Sequence, residues 1–290
     1  MANVVRMTKM HGIGNDYVYV DCRDRDLSDP PRVARAVSRR HHGIGSDGLI
    51  LVRPSTDADC RMEMYNADGS RSEMCGNGIR CVGKYVYDRG VAKNPMRIDT
   101  DAGVKTLSFA LDVGGRVATA TVDMGAPILD GPRIPVASEG RVVDQPLEVA
   151  GMHWRITCVS MGNPHCVVFV PDVDALDLAK IGPQFEHHPF FPKRVNTEFV
   201  AVRSRTVMDF RVWERGSGET QACGTGACAA LVAGVLTGQT ERHATIHLRG
   251  GDLTIEWRAD DHILMTGAAA EVFTADVDLD QLYAVTDTHQ

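Results

Sequence analysis

Apolar and polar residues alternate over five short stretches of the chain, at residues 16–21, 61–65, 117–122, 166–170 and 208–213. Each predicts a half-buried β-strand, and 245–248 reads the same way. Helical spacing is rarer. Residues 31–40 form a basic amphipathic segment opened by proline, and 174–181 predicts a shorter helix. After Cys75, the apolar positions Ile79, Val82 and Val86 recur at helical intervals. After Cys223, residues 227–236 are apolar nearly all round, which predicts a helix enclosed by other structure. Strands therefore dominate, and each half of the chain carries one buried helix.

The pattern repeats. Cys75-Gly76-Asn77-Gly78 returns as Cys223-Gly224-Thr225-Gly226, at an offset of 148 residues. Met62-Glu63-Met64-Tyr65-Asn66 matches Phe210-Arg211-Val212-Trp213-Glu214, and Gly14-Asn15 matches Gly162-Asn163, at the same offset. Three separated loci with one spacing, near half the chain length of 290, indicate two homologous halves. The expected fold is α+β, with two pseudo-symmetric domains facing each other, each a curved β-sheet or barrel wrapped on a central helix. The halves are expected at residues 1–123 and 124–268. The Pro- and Gly-rich stretch 125–151 should connect them, and the tail 269–290 should return to the first half.

Charge and cysteine usage narrow the chemistry. A formal net charge of −7, with no block of Lys and Arg, argues against a nucleic-acid surface. The longest apolar run has ten residues, short of the ~20 a membrane helix needs. The first residues carry no apolar signal segment, so the cytoplasm is the expected compartment. Eight cysteines in such a compartment are not expected to form a disulfide framework, and neither Cys75…Cys81 nor Cys223…Cys228 has the spacing of a zinc ribbon. No metal is expected; His243 and His247 have the nearest metal-like spacing, but their segment reads as a strand. Cys22, Cys60, Cys81, Cys158 and Cys228 read as packing, since cysteine is among the most buried residue types.

Cys75 and Cys223 differ because each precedes a Gly-x-Gly turn and a helix. The positive end of a helix dipole and its N–H groups should lower a thiol pKa from ~8.5. The same N–H groups, uncovered by the glycines, suit a carboxylate. Two such helix ends converging on one α-carbon could take its proton on one face and return one on the other. That is a two-base racemase or epimerase, and it needs no imine cofactor.

The motifs resemble one family closely. Residues 74–81 and 222–228, together with His11-Gly12-Ile13-Gly14-Asn15-Asp16, Tyr65-Asn66-Ala67-Asp68-Gly69, Met161-Gly162-Asn163-Pro164-His165-Cys166 and Glu214-Arg215-Gly216, are similar to the paired signatures of diaminopimelate epimerases. The resemblance runs from residue 8 to about 265. It implies cofactor-independent interconversion of LL- and meso-2,6-diaminopimelate, in lysine and peptidoglycan precursor synthesis, by a homodimer. It implies that Cys75 and Cys223 are the acid–base pair and that His165 and Glu214 adjust their protonation. Gly76, Asn77, Gly224 and Thr225 would bind the reacting carboxylate through their backbone. Asn15, Asn66, Asn163, Asn196, Glu214 and Arg215 would read the amino groups and the distal carboxylate. Arg215 suits bidentate carboxylate binding.

One departure stands out. Some members carry glutamine where this chain has Gly48, which lies 148 residues before Asn196 and is expected to line the pocket through its backbone. Proline racemases and hydroxyproline epimerases also pair two Cys-Gly-x-Gly sites, but their first motif usually has histidine at the place of Asn77, and an apolar ring needs few amides. A non-catalytic amino-acid or metal-binding protein is the remaining alternative; it would show no solvent exchange at Cα.

Overall fold

The computed structural model describes residues 3–91 and 93–287. Its chain divides into two units, residues 1–122 with 267–290, and residues 123–266. The first opens with β1 (Val4–Gly12), β2 (Asn15–Asp21), α1 (Pro30–Ser38), β3 (Gly48–Arg53), β4 (Cys60–Asn66) and β5 (Arg71–Ser72). It continues through α2 (Gly76–Asp88), β6 (Met96–Asp99), β7 (Lys105–Leu111) and β8 (Val117–Gly125). The second begins with β9 (Gln145–Val149), β10 (Met152–Ser160), β11 (Pro164–Phe169), α3 (Leu178–Glu186), β12 (Asn196–Ser204) and β13 (Val207–Glu214). There follow β14 (Gly218–Glu219), α4 (Gly224–Leu236), β15 (His243–Leu248), β16 (Gly251–Trp257) and β17 (Ile263–Ala268). Finally β18 (Ala270–Asp278) and α5 (Leu279–Asp287) complete the first unit.

Both units use one pairing scheme. In the first, β1 is antiparallel to β2, β2 parallel to β3, β3 antiparallel to β4, and β4 parallel to β6. In the second, β10 is antiparallel to β11, β11 parallel to β12, β12 antiparallel to β13, and β13 parallel to β15. The register repeats as well, Tyr17 opposite Gly48 and His165 opposite Asn196. Each opening strand has a second antiparallel neighbour, the distant β18 for β1 and the immediately preceding β9 for β10.

Strand alternation explains how each unit encloses a helix. On β3, Leu49 and Leu51 join Val33, Ala34 and Val37 of α1 in one buried cluster. Ile50 between them points the other way, toward Gly78 of α2. On β12, Phe199 joins Leu178, Ile181 and Phe185 of α3, while Glu198 points toward Gly226 of α4. A central helix walled on its sides must be apolar all round, as α4 is: ten of its thirteen residues are buried.

Two readings of the sequence need correction. The helix expected at 174–181 is α3, Leu178–Glu186, because Asp177 caps it by accepting the Lys180 N–H. Pro183 lies inside it. Proline removes a helix hydrogen bond, but burial of Ile181 and Phe185 on either side carries the helix through. The stretch 125–151 is also more than a connection. Ile134, Val136, Val142 and Val149 are buried in the second unit's core, and β9 is part of its sheet.

Candidate active site

Cys75 is the N-cap of α2 in extended conformation, and its Sγ accepts the Gly78 N–H at 3.4 Å. Its thiol donates to Asn15 Oδ1 at 3.3 Å. Asn15 is itself oriented, since its Nδ2 donates to Asp47 Oδ2 at 2.8 Å. Asp47 also accepts the Asp16 N–H at 3.1 Å and Arg40 Nη2 at 3.0 Å. Burial, and secondarily the charge of Asp16, push the Asp47 carboxyl above its ordinary range. Tyr17 lies against the same thiol; burial, then the charges of Cys75 and Asp47, hold its hydroxyl in the neutral form.

The turn after Cys75 is fixed from below by Arg80, a fully buried guanidinium. It donates to Gly76 O at 3.1 Å and Asn77 Oδ1 at 3.0 Å, and its Nε donates to Ala268 O at 3.4 Å. The first N–H groups of a helix lack acceptors within it, so Gly76 and Asn77 stand where an anion is favoured. Asn66 ends β4 opposite Gly48, with its Nδ2 on Ser70 Oγ at 3.0 Å. Gly48 has no room for a side chain here: a Cβ would come 2.1 Å from Tyr65 O.

In the second unit Cys223 is the N-cap of α4, with Thr225 Oγ1 3.6 Å from its Sγ. Both ring nitrogens of the buried His165 are engaged, Nδ1 with Glu198 Oε1 at 2.7 Å and Nε2 with Asn163 Oδ1 at 2.9 Å. Asn196, opposite His165, donates from Nδ2 to Pro164 O and accepts the Arg215 N–H, both at 2.9 Å. Its amide therefore already holds the loop that carries Arg215. The Arg215 side chain is exposed and reaches Lys193 O at 3.1 Å. Glu214 accepts the Thr220 hydroxyl.

The expected lowering of the thiol pKa does not hold at Cys223. Burial, then the charges of Glu214 and Glu198, raise it well above the ordinary value, against the weaker pull of Thr225 and the Gly226 N–H. Removing a thiolate from water outweighs the helix end. The sequence reading also missed Glu198, Asp47 and Arg80. Arg80 lies within the motif at residues 74–81, but only the fold shows that it points back beneath the turn.

His165, Glu198 and Cys223 bring a nitrogen, an oxygen and a sulfur within 4.8 Å of one another, a grouping that could hold a metal. Tetrahedral zinc would spread its nitrogen and oxygen donors ~3.3 Å apart. The 2.7 Å contact between His165 and Glu198 is closer than that and reads as a shared proton. The other five cysteines are packed among apolar neighbours or fully buried, as is Cys166, which faces Cys158 across the β10–β11 pair.

The comparisons agree with these motifs. The family model described as diaminopimelate epimerase matches residues 7–129 and 157–272. A diaminopimelate epimerase of Acetivibrio thermocellus is 56% identical over 281 residues, covering 96% of this chain and 100% of the relative. One from Desulfovibrio desulfuricans is 54% identical over 285 residues, covering 95% and 99%. Among solved structures, a PhzF-family phenazine biosynthesis protein of Bacillus anthracis matches with a TM-score of 0.69 at 16% identity, over 95% of this chain and 99% of that one. A hydroxyproline epimerase from Agrobacterium vitis matches with a TM-score of 0.65 at 12% identity, over 94% and 91%. At such identities these two likenesses speak for the fold alone. Family model and relatives together span nearly the whole sequence, both cysteine motifs included, and the chain belongs to the diaminopimelate epimerase family, an isomerase.

Proposed function

We propose that the protein interconverts LL- and meso-2,6-diaminopimelate by a two-base exchange at one α-carbon, with Cys75 and Cys223 as the two thiols. The observation that carries this reading is the duplication of one arrangement, a cysteine N-capping a thirteen-residue helix that opens with Gly-x-Gly. One thiolate takes the α-proton, and the C–H electron pair moves onto Cα and into the carboxylate. The opposing thiol then gives its proton to the other face, so the two sulfurs exchange protonation states. The N–H groups of Gly76, Asn77, Gly224 and Thr225 stabilise the charge on the carboxylate. Asn15, Asn66, Asn163, Glu214 and Arg215 bind the remaining ammonium and carboxylate groups. Asn196 acts largely by holding the Arg215 loop, and Gly48 contributes backbone only. His165 and Glu214 adjust the protonation of Cys223.

The test is incubation with LL-diaminopimelate in D₂O. Product should carry deuterium at the inverted α-carbon, and Cys75→Ala or Cys223→Ala should each leave under a few per cent of wild-type turnover. Either alanine variant retaining substantial epimerisation would sink the two-base scheme. Activity should survive hydroxylamine and chelators; loss on dialysis against either would point to a cofactor. Among the described residues no helix is long and apolar enough to cross a membrane. We place the enzyme in the cytoplasm as a homodimer, which fractionation and light scattering would check; a monomeric mass at working concentration would refute the dimer.

A further inference from the structure

The two thiols sit in matching frames with different charge. Aligned by the repeat offset, Asn15, Tyr17, Ile50, Asn66 and Cys75 of the first unit match Asn163, His165, Glu198, Glu214 and Cys223 of the second. The geometry preserves the match. A Cβ on Gly78 would meet Ile50 Cδ1 at 2.7 Å and Cys75 Cβ at 3.5 Å; one on Gly226 would meet Glu198 Oε1 at 2.7 Å and Cys223 Sγ at 3.2 Å. Where the first unit sets a methyl group beneath its cysteine turn, the second sets a carboxylate.

That carboxylate is unusually placed. Glu198 is 0% exposed. Its Oε1 is bonded to His165 Nδ1 at 2.7 Å, and its Oε2 is buried with no hydrogen-bond partner among the described residues. Burying an ionisable group with one oxygen unsatisfied costs stability, and an apolar residue serves at the matching place in the first unit. A site that keeps such a group gains something else from it.

We propose that Glu198 is a positioning residue for the reaction: it fixes the His165 ring through Nδ1 and sets a negative charge beside Cys223, so that Cys223 is the thiol that rests with its proton on. The groups facing Cys223 are His165 from β11, Glu198 from β12, Glu214 from β13 and the Thr225 hydroxyl from α4. Glu198 in turn faces His165, Cys223, Glu214 and the buried thiol of Cys166. Burial raises the Glu198 carboxyl to about 6, so at pH 7.5 it is ionised and accepts the Nδ1–H of His165. Asn15 presents only a neutral amide oxygen to Cys75. Part of the difference between the half-sites is therefore built into Glu198, a buried side chain outside the proposed substrate contacts.

The proposal rests on reading Cys223 as an acid–base thiol, yet its test needs no turnover, so the two can fail separately: an active Cys223→Ala enzyme refutes that reading. The experiment follows alkylation of Cys223 by iodoacetamide from pH 6.5 to 9.5, by peptide mapping, with Cys75 in the same sample as the internal standard. Glu198→Gln should make Cys223 react at least tenfold faster at pH 7.5, as its thiolate forms at lower pH, with the Cys75 profile unmoved. Glu198→Asp keeps the charge and should stay near wild type. Superimposable Cys223 profiles for the amide variant and wild type overturn the assignment, as does an aspartate profile shifted as far as the amide's. Should neither variant fold, ¹⁵N-histidine spectra of the wild-type protein decide it. His165 Nδ1 must carry a proton at pH 7.5, and a bare Nδ1 overturns the proposal.

Discussion

Burial sets three of the eight cysteines apart. Burial pushes Cys22 up to about 11, Cys60 to about 12 and Cys81 to about 11. A thiol titrating three or more units above the solution is ionised to ~0.1% or less. Native protein treated with iodoacetamide at pH 8 should therefore leave these three unmodified, and their reaction on the native timescale would show that the packing is looser than described. Arg80 makes the converse point. A buried cation bonded to Gly76 O and Asn77 Oδ1 holds the turn proposed to bind the carboxylate. Arg80→Met strands both acceptors and should cost about 2 kcal/mol or more, with turnover falling further than stability. Urea unfolding and kcat measured together check this, and wild-type values for both would refute it. The sequence displays Arg80 and Glu198 plainly, but not the direction in which either points.

Helix ends are where elements become chemistry, and the two units offer an internal comparison. Gly78 and Gly226 occupy the same turn, yet a Cβ meets different atoms at each. Gly78→Ala presses on the tips of Ile50 and Met62, at 2.7 and 3.1 Å, and both side chains can swing aside. Gly226→Ala presses on Glu198 Oε1 and Cys223 Sγ, at 2.7 and 3.2 Å, the first held by His165 and the second proposed to carry the proton. The second substitution should lower kcat by an order of magnitude more than the first, at similar melting temperatures. Equal losses would mean that the contacts beneath the two turns are equivalent. Periodicity read the elements well where one face is buried, as at β8 and β13. It placed α3 four residues early and stopped it before Pro183, because a proline carried by tertiary burial looks locally like a terminator.

Over the whole molecule, the ends of the chain are interdependent. β18 pairs with β1 along most of its length, from Val4 opposite Asp278 to His11 opposite Ala270, and Leu279 joins the cluster that holds α1. Ending the chain after residue 268 strips β1 of that neighbour and exposes the ladder edge. The truncated protein should lose its cooperative thermal transition or precipitate, as seen by circular dichroism. A sharp melt near the full-length temperature would show that β18 is dispensable. In the second unit β9 occupies the corresponding place beside β10. No local pattern signals that strand, because 125–151 reads as Pro and Gly with scattered apolar residues, and their burial becomes evident only with the sheet beneath them.

The sequence by itself determined the class of fold, the buried helix in each half, the two cysteines and most of the polar residues proposed to meet the substrate. It could do so because the duplication states each feature twice, and because a cysteine before Gly-x-Gly at a helix start has a local chemical meaning. The tertiary structure alone decided the charge state around those cysteines. Whether a helix end lowers a thiol pKa depends on what else is buried beside it, and Glu198 reaches Cys223 from a strand twenty-five residues earlier in the chain. Strand alternation brings it there: a one-residue slip of β12 would turn Glu198 to the opposite face and leave burial and Glu214 to act on Cys223 against the helix end.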